Sequence, residues 1–214
     1  MESIARTYRK VFFRKGDRIH SPFAYNLITK VIEERLPYYA FDEIERHYRR
    51  RDNYGRLLFR LINYFRCRSV IIIGNTPEYL GLYAAMVSPR CTCYLVDEDN
   101  SGSTGFNRFV ESHNLRNIRR ASAVVSESRV SEREDDAWTL IAVNRGDRID
   151  AGSLPVNRSI FVINNISKDK ALNACWQTLR QNKAGAVSID LFEVGLVIFD
   201  KKLVKAHYKT YFNL

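Results

Sequence analysis

Hydrophobic positions change their period once along this chain, at about Ser69. Upstream they recur every three or four residues. Phe23, Leu27, Val31 and Ile32 share one side of a segment that opens on Ser21-Pro22. A hydroxyl cap followed by proline at the first helical position predicts a helix over Phe23–Arg35. Pro37 ends it, because the residue before a proline is driven out of the helical region. Two more helices are predicted, over Phe41–Arg51 and Tyr54–Phe65. The second rests on the stripe Leu57, Leu58, Leu61, Ile62 and Phe65.

Downstream, short β-branched runs alternate with amphipathic stretches. Ser69–Ile73, closed by Gly74, reads as a fully buried parallel strand. Further strands are predicted at Thr92–Val96, Ala137–Val143 and Ser159–Ile163, with helices at Tyr79–Met86, Phe106–His113 and Lys168–Gln181. Val187–Asp190 and Val194–Phe199 suit a closing antiparallel hairpin. Ser126–Asp136 is polar and reads as loop or short helix. Alternating strands and helices predict a doubly wound, mostly parallel α/β sheet. The chain is expected to divide into an N-terminal helical extension, residues 1–66, and an α/β domain, residues 67–214.

Composition narrows the class. With 214 residues, 45% of them hydrophobic, the chain can bury a sizeable core. No apolar run approaches the roughly 18 residues needed to cross a bilayer. The basic N-terminus lacks the apolar core and small-residue cleavage site of a signal peptide, and a cytoplasmic location is expected. Four cysteines (Cys67, Cys91, Cys93, Cys175) are too few for a disulfide scaffold and are read as reduced core thiols.

The net charge of +10 is unevenly placed. Residues 1–68 carry 16 Lys and Arg against 8 Asp and Glu, while residues 69–214 carry 18 against 16. Arg46-His47-Tyr48-Arg49-Arg50-Arg51 is the densest stretch. Cations interleaved with aromatics suit nucleic acid, through counterion release and base stacking. The commoner outcome is a solvated helix face whose aromatics turn into the core.

Ligands of an open α/β sheet bind beyond the carboxyl ends of its strands. Gly74-Asn75 follows the first strand and Glu78 precedes the next helix, but neither GxGxxG nor GxxxxGK[ST] is present. Asp97 ends the second strand, where a carboxylate can hold both ribose hydroxyls or simply be a solvated loop acid. Asn144 follows the third of these predicted strands and Asn164-Asn165 the fourth. Amides there can orient a ligand but cannot act as bases, nor supply the charge a hard cation wants. No histidine pair has metal-ligand spacing.

Several stretches resemble the helical N-terminal region of a group of bacterial class I S-adenosylmethionine-dependent methyltransferases. They are Arg18–Tyr25, Tyr38–Glu45 and Gly55–Leu61, and the likeness extends to Ile189–Gly195 and Lys205–Lys209 near the C-terminus. The resemblance implies a Rossmann-like methyltransferase fold with an N-terminal helical extension, and S-adenosylmethionine as cofactor. It assigns cofactor contacts to Gly74, Asn75, Glu78, Asp97 and Asn144, with Asp97 on the ribose. The family's first motif is an acid, an apolar residue and Gly-x-x-x-Gly. Here the acidic position is Ile72, the first glycine is Gly74 and the second is replaced by Glu78, which would crowd the methionine moiety. The acid after the fourth strand is Asn144, and the acidic pair after the fifth is Asn164-Asn165, so no metal is expected. The implied activity is methyl transfer to a small-molecule acceptor, weak or lost. The rivals are a non-catalytic module binding nucleic acid or another acidic partner through the basic N-terminal third, and a dimer built on the helical extension.

Overall fold

The computed structural model describes Thr7, Arg9 and residues 19–74, 78–96, 103–121, 137–145, 158–182 and 187–212. The predicted loop at Ser126–Asp136 and the candidate residues Asn75 and Asp97 lie outside them.

Ser21 caps α1 (Pro22–Leu27), its hydroxyl accepting from the Ala24 amide at 3.3 Å. The expected long helix then changes character, continuing as a π-helical segment, Ile28–Ile32, closed by Glu33 N–H on the Ile28 carbonyl. Thr29 contributes to the change: its hydroxyl donates to the Tyr25 carbonyl at 2.7 Å, competing with the helical ladder. The helix ends short of Arg35, and a side chain satisfies carbonyls at and just beyond its end. Arg60 donates to Glu34 O at 3.0 Å and Ile32 O at 3.2 Å.

α2 (Tyr39–Tyr48) stops where Arg49 adopts a left-handed φ of 50°, three residues before the expected end at Arg51. Asp52 then caps α3 (Asn53–Phe65), accepting from the Tyr54 and Gly55 amides. The leucine stripe of α3 is buried as its spacing predicts.

The sheet has eight strands: β1 (Ser69–Ile73), β2 (Thr92–Val96), β3 (Ile118–Ala121), β4 (Thr139–Val143), β5 (Ser159–Ile163), β6 (Val187–Asp190), β7 (Gly195–Phe199) and β8 (Ala206–Lys209). Their order is β3-β2-β1-β4-β5-β7-β6-β8. Among the described strands only β7 runs against its neighbours, forming the expected hairpin with β6. β8 adds an edge strand parallel to β6. The remaining helices are α4 (Glu78–Ala85), α5 (Thr104–Ser112) and α6 (Lys170–Gln181).

Alternation along the strands sorts side chains into two layers. Val70, Ile72, Leu140, Ala142, Ile160 and Val162 pack with α1 to α5. Ile71, Ile141, Phe161 and Val197 pack against Leu172, Cys175, Trp176 and Leu179 of α6. The helices from the first 66 residues thus share one apolar cluster with the sheet. A polar knot ties α2, α3 and α4 together over it. Arg56 holds Glu45 with two 2.5 Å bonds, and the Tyr83 hydroxyl donates to the same carboxylate at 3.0 Å. Gly55 admits the Tyr83 ring across α3, since a Cβ there would lie 2.4 Å from its Cδ2.

Candidate functional site

The strand order reverses between β1 and β4. β1 leads through α4 to β2 on one side, while β4 and β5 extend on the other. The crevice outside their carboxyl ends is where such a sheet takes its ligand.

Gly74 sits there with φ +100°. An added Cβ would stand 2.5 Å from Arg145 Cβ and 2.7 Å from its amide nitrogen, so backbone alone fits. Three backbone bonds lock the ends of β2, β1, β4 and β5 together: Gly74 N–H to Val96 O, Asn144 N–H to Ile73 O, and Asn164 N–H to Val143 O. The structure therefore places Gly74, Asn144 and Asn164 at neighbouring strand ends. Asn164 donates to Asn144 Oδ1 at 3.3 Å, and Asn165, at φ 52°, donates its amide to Asn164 Oδ1. The Asn144 Nδ2 group is buried and has no partner among the described residues. A buried donor without an acceptor costs roughly 1–3 kcal/mol, so a ligand acceptor placed there would be favourable.

Glu78, at the start of α4, has partners that no local motif reveals. It accepts from the Ser103 amide at 2.8 Å, from the Ser103 hydroxyl, and from Arg120 of β3 at 2.6 Å. Burial pushes its carboxyl up, but these three bonds prevail and hold it below the ordinary carboxylate range. Tyr48 and Tyr79 lie beside it, ring centroids 5.8 Å apart. Burial raises both phenols to about 12, with Glu78 adding to the rise at Tyr48 and Asp52 at Tyr79. Both are protonated at neutral pH and neither is a base.

The residues directly following β1, β4 and β5 are Gly74, Asn144-Arg145 and Asn164-Asn165. They offer amide donors and acceptors and one guanidinium, with no carboxylate or imidazole. Such a set can bind and orient a ligand; it cannot take a proton from one. Among the described residues no group of His, Cys, Asp and Glu side chains could hold a metal ion.

The basic N-terminal third makes extensive use of its own cations. Arg9 grips Asp190 at 2.5 and 2.9 Å, Arg46 pairs with Glu43, Arg50 lies over the Tyr79 ring and Arg51 bonds Asn53. Phe41 is buried and Tyr48 half-buried, so neither stands out for a base to stack on. No helix among the described residues is long and apolar enough to cross a membrane.

No family model matches the chain, and no curated protein does either. Solved structures do. A methyltransferase from Geobacter sulfurreducens superposes with TM-score 0.53 at 14% identity, covering 84% of this chain and 98% of that one. An S-adenosylhomocysteine-bound methyltransferase from Podospora anserina gives TM-score 0.54 at 11% identity, covering 85% and 97%. At such identities the likeness establishes the fold: a Rossmann-like methyltransferase sheet with its antiparallel hairpin.

Proposed function

We propose that this chain is an S-adenosylmethionine-dependent methyltransferase-like protein, with its cofactor over the carboxyl ends of β1, β2 and β4. The observation that carries the reading is Gly74. Its left-handed backbone, with no room for a side chain, stands at the switch point of a methyltransferase sheet. The residues present fit the cofactor. Gly74 lets the ends of β1 and β4 meet with no side chain between them, Asn144 offers a buried donor without a partner among the described residues, and Arg120 already neutralises Glu78. Asp97, which follows β2 in the sequence, is the residue assigned to the ribose.

The cofactor supplies an electrophilic methyl group. The chain supplies position, which is most of what an in-line displacement requires. With amides at the ends of β4 and β5, Asn144 and Asn164 can orient an acceptor but cannot deprotonate it. The acceptor class this favours is a small molecule whose nucleophile is already unprotonated at neutral pH, and turnover on hydroxyl acceptors is weak.

Calorimetric titration of the full chain with S-adenosylmethionine and S-adenosylhomocysteine tests the reading. Saturable one-to-one binding of both is expected. Absence of binding to either would leave the fold without the activity.

A further inference from the structure

A second group of charged side chains lies at the opposite end of the sheet, away from the crevice described above. The last turn of α6 and the amino ends of β6 and β8 enclose a groove of about 430 Å³. Val187, Val197 and Ala206 form its apolar part, while Arg180, Lys205 and His207 bring cationic or ionisable groups to it. No carboxylate lines it among the described residues. Asp190, whose field reaches His207, is gripped at both oxygens by Arg9.

The polar groups run in one direction. A guanidinium can only donate, so Arg180 Nη1, 3.4 Å from His207 Nε2, makes that nitrogen an acceptor. The neutral ring then carries its proton on Nδ1 and donates to Ser188 Oγ at 2.9 Å. The Ser188 hydroxyl is left to donate to the Ala206 carbonyl at 3.5 Å. The chain of bonds requires a neutral imidazole. Burial and the adjacent Arg180 hold the ring below its ordinary pKa, Lys209 and Arg9 add to the fall, and Asp190 opposes it.

Part of this has a local explanation. Lys205 donates to the Asn182 carbonyl at 3.0 Å, as lysines do at helix carboxyl ends. Arg180 does not follow suit. It lies over the Trp176 ring at 5.2 Å and addresses the histidine instead. A guanidinium, an ammonium and a proton-accepting imidazole around one groove match a doubly charged anion better than a singly charged one.

We propose that this groove binds a small phosphomonoester. Arg180 and Lys205 supply its charge complement and Ser188 and His207 its hydrogen bonds. Val187, Val197 and Ala206 take the organic part. The dianion makes the imidazolium form favourable, so the ring takes up a proton from solvent, and Arg180 turns from the ring nitrogen to a phosphate oxygen.

Phenyl phosphate is the probe, titrated calorimetrically into the full chain at about pH 7.5 in two buffers of different protonation enthalpy. Saturable binding with net proton uptake is expected. Arg180→Gln, Lys205→Met and His207→Gln should each weaken it by about tenfold, and His207→Gln should also abolish the proton uptake. Lys205 is exposed and His207 lies on the edge strand β8, so their variants serve even if Arg180→Gln loses the native circular-dichroism spectrum. Three results would overturn the proposal: no saturable binding by the wild type, unchanged affinity in the folded variants, or equally tight binding of benzoate. Inorganic phosphate binding as tightly as the ester would overturn the role given to the apolar part.

Discussion

Glu78 and Arg120 are joined by a 2.6 Å salt bridge that ties the helix after β1 to a strand two places along the sheet. Both side chains are about four-fifths shielded, at 20% and 23% exposure. A double-mutant cycle with Glu78→Gln and Arg120→Met should give a coupling of about 1–2 kcal/mol in urea unfolding. The pH dependence has a definite sign. Glu78's folded pKa lies below its ordinary 4.5, so its contribution is complete above that value and fades as pH falls through the folded one. The gap between wild type and Glu78→Gln should therefore be widest near neutrality and close under acid conditions. A gap that widened in acid would contradict the pairing.

Gly74 leaves less latitude. Gly74→Ala puts a Cβ within 2.7 Å of Arg145 backbone at a φ that side chains avoid. A loss of about 2–4 kcal/mol is expected in denaturant unfolding. An Ala variant as stable as wild type would mean that β1 and β4 end differently from what is described.

The thiols offer a third check. Cys67, Cys91, Cys93 and Cys175 are all buried and unpaired. Burial pushes Cys91 up to about 12, Cys175 to about 11 and the other two upward as well. Thiolate, the reactive form, is scarce at each. An aromatic disulfide reagent at mildly alkaline pH should label none of the four within minutes in the native protein and all four after unfolding.

The sheet was largely legible because its strands are apolar on both faces and closed by turn residues. Ser69–Ile73 and Ser159–Ile163 appear where their β-branched runs lie. β3 and β8 escaped because each is a four-residue edge strand interrupted by polar or charged residues, Ile118–Ala121 and Ala206–Lys209, carrying no continuous apolar run. The π-helical segment escaped because apolar spacing cannot report that the Thr29 hydroxyl competes with the ladder. In the site, Gly74, Asn144 and Asn164 were readable as strand-terminal residues. The partners of Glu78 were not. Ser103 is 25 residues away and Arg120 is 42, and only the order of strands brings them together.

That pairing changes what Glu78 should do to a cofactor. Taken alone, a glutamate in place of a glycine predicts crowding and repulsion of the methionine carboxylate. With Arg120 as counter-ion and Ser103 holding both oxygens, the charge is already compensated. Glu78→Gly should then leave affinity for S-adenosylmethionine within about twofold, since the carboxylate it removes is already neutralised by Arg120 and held by Ser103. Asp97→Ala, run beside it, should weaken binding by about tenfold to hundredfold, the worth of a hydrogen bond to a charged group. Both titrations should be indifferent to added Mg²⁺ or to chelator, because Asn144, Asn164 and Asn165 bring no carboxylate to a hard cation. A severalfold gain in Glu78→Gly would show that the side chain obstructs the pocket despite its pairing. An unchanged Asp97→Ala would move the ribose away from the end of β2.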